Sequence, residues 1–427
     1  MFLRAEIQDR LLLSVAIAAA VLIHISIAAS QIFLGLGILL LLIFHQKLAF
    51  PRIWIPLACF FLWTALADVL SPDPWGGRAQ IRKFFVFLLI PLIYGVFRRQ
   101  FAKTPYLIAG WVLAATASGA WALVQFAIKY QQDLHAPQGF YAAYLERRIT
   151  GFESHWMTFS ALQLSVLTLL LAHLFFSDRK LPRAVYASIA ILSAAILLGW
   201  TRSIWLGAIG AIFYLTWMWR PRLTFAIPVL IAAIFLAAPP SLRQRMRSLV
   251  APRADVDSNQ HRLVVWETGL HMIRAHPWFG LGPERIAREF SSWVPPDVPR
   301  PLPPGYYGHL HNIYLQYAAE RGIPGMLLMM WFIGMAVWDC ARGIRRLKGA
   351  RSQQLFLLHG TIAVTIGILI GGFFEYNLGD SEVLMMFVSV VALGYAALEN
   401  LPGAQRVATP STANGVIAAK QLGRAPG

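Results

Sequence analysis

The chain has 427 residues, of which 57% are hydrophobic and only 13% are charged, and its formal net charge is +17. A soluble domain averages about 25% charged residues, and the apolar residues here come in long blocks, so the composition excludes an ordinary soluble protein. Both cysteines, Cys59 and Cys340, fall inside apolar blocks and outside any metal or redox spacing motif, so they indicate no chemistry.

Twelve apolar segments approach the roughly 20 residues that a helix needs to cross a bilayer. Because a backbone in lipid must satisfy its hydrogen bonds internally, each segment is predicted to be a helix. We expect an all-α integral membrane protein with about 12 transmembrane helices, the first being a retained helix and not a cleaved signal peptide. The segments are 11–29, 31–45, 53–70, 84–97, 105–128, 156–176, 184–200, 203–219, 223–239, 324–341, 354–374 and 383–398.

Basic residues are concentrated in every second loop between these segments. The short basic loops lie near residues 47–52, 98–103, 179–183, 220–222 and 342–351. This bias marks cytoplasmic loops, so both termini are predicted to be cytoplasmic. Orientation therefore explains the positive charge, and we predict no nucleic-acid partner.

The predicted orientation divides the chain into four parts. Residues 1–240 hold nine spans with short loops, residues 241–323 form a large loop on the outer side, and residues 324–400 hold three more spans. Residues 401–427 are small, polar and basic, and are predicted to be a disordered cytoplasmic tail. A second outer loop covers about 129–155.

The large outer loop is predicted to contain amphipathic helices that lie on the membrane or on the bundle. One covers 261–275, with Leu263, Trp266, Leu270 and Ile273 on its apolar face. The next covers 283–293 and begins at Pro283, a residue favoured in the first helical turn.

The end of the outer loop leads directly into the tenth span. A proline-rich stretch over 294–304 is predicted to be extended. A short helix over about 311–321 is predicted to end at Gly322, and Pro324 starts the next span.

His311 is the strongest candidate for a catalytic residue. It precedes Asn312 at the start of the short helix, directly above a span. The pKa of a histidine lies near neutral pH, which suits a general base. The alternative is an interfacial histidine among tyrosines, and on position alone His309 is an equal rival.

Arginines on the same predicted side are candidates for binding an anion. Arg202 lies in a tight outer turn, where facing lipid is costly; its alternative role is to reach lipid head groups. Arg262 begins a loop helix and could equally be a solvated surface residue, and Arg148 could be a flank anchor. Guanidiniums that converge on one site would suit a phosphate.

Acidic residues occur in two outer segments. The turn 374–382 carries Glu375 and Asp380, which could position a ligand or pair with an outer arginine. Asp255 and Asp257 spell the D-x-D of metal-dependent sugar transferases. Activated nucleotide sugars are cytoplasmic and this loop is predicted to be outside, so we expect no metal site.

The residues around His311 resemble a known family pattern. That pattern is a His, then Asn, Ser or Gln, nine residues, a Gly, two residues and a second Gly, and the chain matches it from His311 to Gly325. In this respect the chain is similar to the O-antigen ligases and the related O-antigen polymerases. The resemblance covers about 145–380 and includes the Pro277–Gly282 segment, whereas the amino-terminal spans match only in hydropathy.

The resemblance implies a GT-C-like glycosyltransferase of the bacterial inner membrane, with its active site on the periplasmic side. Such an enzyme moves a polysaccharide from undecaprenyl diphosphate to lipid A-core without a metal or other cofactor. The resemblance implies that His311 is the essential histidine and that Arg202 and Arg262 are essential arginines, while Arg148 is a weaker match. His309, Asn312, Glu375 and Asp380 are the possible supporting residues.

Other functions stay open at this point. An O-antigen polymerase would use the same carrier twice, and a protein O-oligosaccharyltransferase would replace the core sugar with a protein hydroxyl. A lipid-linked sugar transporter would belong to a different class. Transporters place their polar residues near mid-membrane in interrupted spans, whereas here these residues lie at outer ends and in a loop, which favours an enzyme.

Overall fold

The computed structural model describes residues 2–251 and 259–402, with the side chains of residues 2–4 left out. Within these residues the regular structure is entirely helical. The α-helices are α1 (Phe2–Val21), α2 (Ile27–Ile43), α3 (Trp54–Val69), α4 (Arg78–Lys83), α5 (Leu89–Phe97), α6 (Thr104–Asp133), α7 (Gly139–Glu146), α8 (Trp156–Phe176), α9 (Arg183–Leu198), α10 (Arg202–Trp219), α11 (Ala226–Ala237), α12 (Pro240–Arg247), α13 (Asn259–Ala275), α14 (Ile286–Trp293), α15 (Ile313–Arg346), α16 (Gln353–Gly372) and α17 (Ser381–Glu399). Short 3₁₀ helices occupy Leu22–His24, Phe84–Leu88, Phe101–Lys103, Pro221–Phe225 and Asn377–Gly379.

Within residues 2–251 and 259–402, seven helical stretches are long and apolar enough to cross a membrane. They are Ala5–His24, Arg78–Phe97, Phe101–Asp133, Trp156–Phe176, Ile313–Arg346, Gln353–Gly372 and Ser381–Glu399. Shorter apolar helices cover Ile27–Ile43, Trp54–Val69, Arg183–Leu198 and Pro221–Ala237. The prediction of a helical membrane protein is confirmed. A helix lies within each of the twelve predicted segments, but twelve crossings stay a prediction.

Helix α16 is at the centre of the bundle and packs against α8, α10, α15 and α17. Its close contact with α10 depends on small residues. A Cβ atom added at Gly207 of α10 would lie 2.6 Å from the carbonyl oxygen of Gly367 in α16. In lipid such small-residue contacts let helices approach closely enough for dense packing. This packing fixes the ends of α10 and α16, from which candidate site residues emerge.

Helix α15 is two helices joined at Gly322, as predicted. Gly322 has φ 72° and ψ 170°, and Pro324 lies in the first turn of the second part. A Cβ atom at Gly322 would lie 1.8 Å from the carbonyl oxygen of Trp278. Ile323 N also donates to the Pro277 carbonyl at 2.8 Å. Only glycine fits here, because both the left-handed backbone and the approaching chain exclude a side chain.

The kink leaves backbone carbonyls of α15 free to accept hydrogen bonds from the segment 277–282. Leu281 N donates to the Ala319 carbonyl at 2.8 Å, and Gly282 N donates to the Glu320 carbonyl at 3.1 Å. The segment 277–282 therefore packs directly on α15. The two sequence motifs that suggested a family are thus in contact, and their hydrogen bonds attach the segment between α13 and α14 to α15.

One prediction about the 241–323 segment was wrong. Helix α14 begins at Ile286, because Glu284 has φ 63° and interrupts any helix started by Pro283. In α13, Leu263 and Leu270 are exposed, whereas Val265 and Met272 are buried in the protein. The helix is apolar on two sides, so its pattern alone did not show which side packs on the protein. The helices α7 and α12 were not predicted.

Candidate active site

A cavity of about 720 Å³ lies at the amino-terminal ends of α8, α10 and α15 and beside the connection between α16 and α17. Seven of the eight site residues expected from the sequence line it. These are Arg148, Arg202, Arg262, His309, His311, Glu375 and Asp380. Asn312 does not line the cavity and lies behind it. Residues up to 232 positions apart in sequence therefore share one hollow.

Asn312 has a structural role at the start of α15. Its side-chain oxygen accepts hydrogen bonds from the backbone N–H groups of Tyr314, at 2.9 Å, and Leu315, at 3.0 Å. Its amide nitrogen donates to the Phe373 carbonyl at 3.0 Å. The residue caps the helix and ties it to the α16–α17 connection, so it fixes the backbone on which His311 stands.

The His311 ring lies between two hydrogen-bond acceptors. Nδ1 is 3.3 Å from Glu375 Oε2, and Nε2 is 3.2 Å from the Tyr306 carbonyl oxygen. The backbone of His311 has φ 46°, a left-handed conformation that is uncommon outside glycine. Asn312 on one side and the 305–309 segment on the other hold this backbone. The contact between Nδ1 and Glu375 fixes the orientation of the ring. Nε2 then lies beside the Tyr306 carbonyl oxygen, at the wall of the cavity.

Glu375 connects the histidine to an arginine. Its Oε1 accepts from Arg262 at 2.6 Å while its Oε2 faces His311. The carboxylate is only 6% exposed. Burial alone would raise the pKa of Glu375, but Arg262 and His311 outweigh it and hold that pKa below its usual value. Glu375 is therefore an anion at neutral pH, and of the two roles considered for it the structure shows the pairing with an arginine, Arg262.

Arg202 is the first residue of α10, and it is 7% exposed. Its guanidinium donates to the Ser248 carbonyl at 2.6 Å and to Asn259 Oδ1 at 2.6 Å. These contacts join the start of α10 to the residue that follows α12 and to the first residue of α13. The side chain therefore points into the protein and the cavity, and does not extend to lipid head groups as the alternative supposed.

A fourth guanidinium in the cavity was missed from the sequence. Arg245 of α12 is 5% exposed and donates from Nε to the Trp200 carbonyl at 3.0 Å. A signal was available, because α12 carries Arg243, Arg245 and Arg247 in a loop predicted to be outside. The positive-inside bias expects few basic residues there, so such a cluster indicates a local need for cations.

Arg148 lies close to Arg245 and has an unusual environment. Its guanidinium stacks 4.3 Å from the centre of the Trp156 ring, and its Nε donates to the Leu145 carbonyl at 3.1 Å. Burial, followed by the positive charge of Arg245, lowers the pKa of Arg148 to about 9. It is still mainly charged at pH 7, and a nearby anion would stabilise the crowded cations.

Two further imidazoles surround His311. The ring centres of His309 and His261 lie 4.1 Å and 5.2 Å from that of His311. Burial, followed by the influence of His311, lowers the pKa of His309 to about 3 and that of His261 to about 4. Both rings are therefore neutral near pH 7 and add no charge to the site.

Asp380 lines the cavity at the start of α17. It accepts a hydrogen bond from Thr158 Oγ1 at 2.7 Å. Burial raises the pKa of Asp380 above its usual value, although the Thr158 hydroxyl partly opposes this. Asp255 and Asp257 of the D-x-D, and most of the predicted tail, lie outside the described residues.

The arrangement combines two chemical capacities. Four guanidiniums, those of Arg148, Arg202, Arg245 and Arg262, face one hollow and can bind a multiply charged oxyanion such as a diphosphate. Beside them, an imidazole oriented by a buried carboxylate can accept a proton.

Comparison with known proteins adds one finding. A family model described as O-antigen ligase matches residues 187–330. The matched range includes Arg202, Arg262 and His311, whereas Arg148 and Glu375 lie outside it. A search of curated proteins finds no match.

Proposed function

We propose that this chain, whose residues 187–330 match the O-antigen ligase family, transfers a polysaccharide from undecaprenyl diphosphate to a sugar hydroxyl of lipid A-core. The site would lie on the periplasmic side of the bacterial inner membrane. The observation that carries the proposal is the single cavity shared by four guanidiniums and the His311–Glu375 pair.

The arginines would act on the donor. Departure of undecaprenyl diphosphate breaks the bond between its oxygen and the anomeric carbon, so negative charge builds on the diphosphate. Arg202 and Arg262 are fixed before the reaction by hydrogen bonds to the outer loop and to Glu375. Pre-aimed cations stabilise developing charge without reorganisation. Arg148 and Arg245 would add to the same field.

His311 would act on the acceptor. Glu375 holds Nδ1, so Nε2 would take the proton from the acceptor hydroxyl as that oxygen bonds to the anomeric carbon. The Tyr306 carbonyl now occupies the position beside Nε2, and the hydroxyl would replace it. A base in such a position typically contributes about 10²–10⁴-fold to the rate. A single displacement of this kind inverts the anomeric centre.

Gene deletion with chemical analysis of the lipopolysaccharide tests the proposal. Loss of a ligase leaves long polymer on the carrier and unsubstituted core. Loss of a polymerase leaves single repeats attached to core, and that result would overturn the proposal in favour of the polymerase. A complementary test incubates the purified full chain with lipid-linked polysaccharide and lipid A-core. No joined product, or product formed only with a protein acceptor, would also refute it.

A further inference from the structure

A second cavity, of about 360 Å³, lies at the opposite end of α15 from His311. The carboxyl-terminal ends of α15 and α17, together with α5 and the connection before α3, form its walls. Arg342 lies 29 residues beyond Ile313, which corresponds to roughly 40 Å along a helix. This is close to the full thickness of a bilayer. The cavity is therefore at the predicted cytoplasmic surface and is separate from the proposed active site.

The carboxylates of this cavity already have partners. Asp339 accepts from the Tyr395 hydroxyl at 2.8 Å and lies 3.6 Å from Arg52. Glu399 accepts from the Tyr94 hydroxyl at 2.8 Å. Two tyrosines and one arginine thus hold both acidic groups in place at the wall.

Two arginines in the cavity are available for a ligand. Arg342 and Arg346 line it, and within the part of the chain that the structure describes they make no hydrogen bond or ion pair. They are four residues apart on α15, so their side chains lie on the same face. With Arg52, three guanidiniums face two carboxylates, and the cavity holds net positive charge.

An apolar groove adjoins the basic cavity. A smaller cavity of about 70 Å³ shares Phe50 and Pro51 with it and is lined entirely by apolar side chains. Its walls come from α3, the Phe84–Leu88 turn and α5. From Trp54 to Phe61, the groove follows α3 for about 10 Å towards the middle of the membrane.

We propose that the basic cavity and the apolar groove together bind a phospholipid with an anionic head group. The lipid phosphate would contact the Arg342 and Arg346 guanidiniums, whose planar forks match phosphate oxygens, and the first few carbons of an acyl chain would lie in the groove. Basic pockets between spans at the cytoplasmic face are suited to anionic lipid head groups. The inference concerns a different part of the molecule from glycan transfer and does not depend on it.

A simpler account exists for basic residues at this end of the protein. Cytoplasmic loops are enriched in arginine, and cations are stabilised at helix carboxyl ends. That account explains Arg345, which lies over the Trp338 ring at 5.9 Å, and the exposed Arg351. That account requires neither a cavity nor an adjoining apolar groove. Lipid binding by variants of the arginines inside the cavity can therefore be compared with lipid binding by variants of those outside it.

The first experiment measures lipid binding to the purified, delipidated full chain in detergent. Phosphatidylglycerol, phosphatidylcholine and inorganic phosphate are titrated separately, and binding is followed by native mass spectrometry and by the apparent Tm. We expect phosphatidylglycerol to bind at least about tenfold more tightly than phosphatidylcholine, because both lipids carry the phosphate but the net positive cavity repels the choline cation. Equal binding of the two lipids, or equal stabilisation by inorganic phosphate alone, overturns the proposal.

The second experiment compares two double variants of equal charge. Arg342→Gln/Arg346→Gln should weaken phosphatidylglycerol binding at least about tenfold, whereas Arg345→Gln/Arg351→Gln should retain it. Equal weakening in both would show a general charge effect and overturn the site. If the first double variant fails to fold, the single variants Arg342→Gln and Arg346→Gln are each compared with Arg345→Gln. Binding that is unchanged in Arg342→Gln and in Arg346→Gln again refutes the proposal.

Discussion

Replacing Glu375 by glutamine tests whether the carboxylate positions the proposed base. The variant keeps the size of the side chain and one oxygen that can accept from Arg262, but it removes the negative charge beside His311. That charge lies 3.3 Å from Nδ1 and is buried. The proposed reaction places a positive charge on the imidazole as it takes the acceptor proton, so the carboxylate would stabilise the transition state more than the ground state.

The magnitude follows from this geometry. At an effective dielectric constant of about 20, unit charges separated by 3.3 Å attract by roughly 5 kcal/mol. The glutamine dipole and reorientation of nearby groups would recover part of this attraction. We therefore expect a loss of about 3 kcal/mol in transition-state stabilisation, which is roughly a 100-fold decrease in kcat. The KM for the lipid-linked donor should change little, because the arginines that would bind the diphosphate remain.

The assay is polysaccharide transfer by the full chain in proteoliposomes, with kcat and donor KM measured separately. The control is Glu382→Gln, which removes a carboxylate at the start of α17 without altering the cavity wall. Both variants are assayed well below their Tm values, because Glu375 also pairs with Arg262. Wild-type kcat in Glu375→Gln, or an equal loss in Glu382→Gln, would refute the positioning role.

Three further outcomes follow from the same geometry. In thermal unfolding measurements, Gly322→Ala should destabilise the protein by more than about 3 kcal/mol, because the added Cβ would overlap neighbouring backbone and the position has a left-handed conformation. The control is Gly334→Ala, where an added Cβ meets nothing within 4 Å, and it should be neutral or stabilising. Asn312→Ala and Ser352→Ala each remove a helix cap and should each lower the free energy of unfolding by about 1 kcal/mol. Only Asn312→Ala should also lower the rate of polysaccharide transfer, and equal rates in the two variants would contradict the role of this cap in positioning His311. The pKa of His309 is about 3 in the folded protein and 6.5 in the reference state, so the unfolded chain binds more protons and stability should fall as pH drops below about 6.5. His309→Asn should reduce this dependence in Tm measurements between pH 7 and 5, and an unchanged slope would contradict the burial argument.

Parts of the candidate site could be predicted from local sequence. His311 and Asn312 stand at the start of a helix that Gly322 interrupts, and this was readable because caps and glycine breaks depend on neighbouring residues. The partnership of His311 with Glu375 was not readable, since 64 positions separate them and the acidic turn offered several possible partners. Arg245 was missed although its segment is basic, because nothing in that segment shows which of its arginines faces the cavity.

The sequence by itself determined the class of the molecule. Apolar blocks of spanning length leave the backbone no alternative to helices in lipid, and this does not depend on how the helices are arranged. Only the tertiary structure decided which polar side chains meet. The small residues between α10 and α16 and the glycine kink of α15 set the distances between helix ends. A hollow lined by arginines from separate segments is a property of those distances, and no local pattern encodes it. The same reason applies to α13, whose two apolar sides left the choice of buried face to its neighbours.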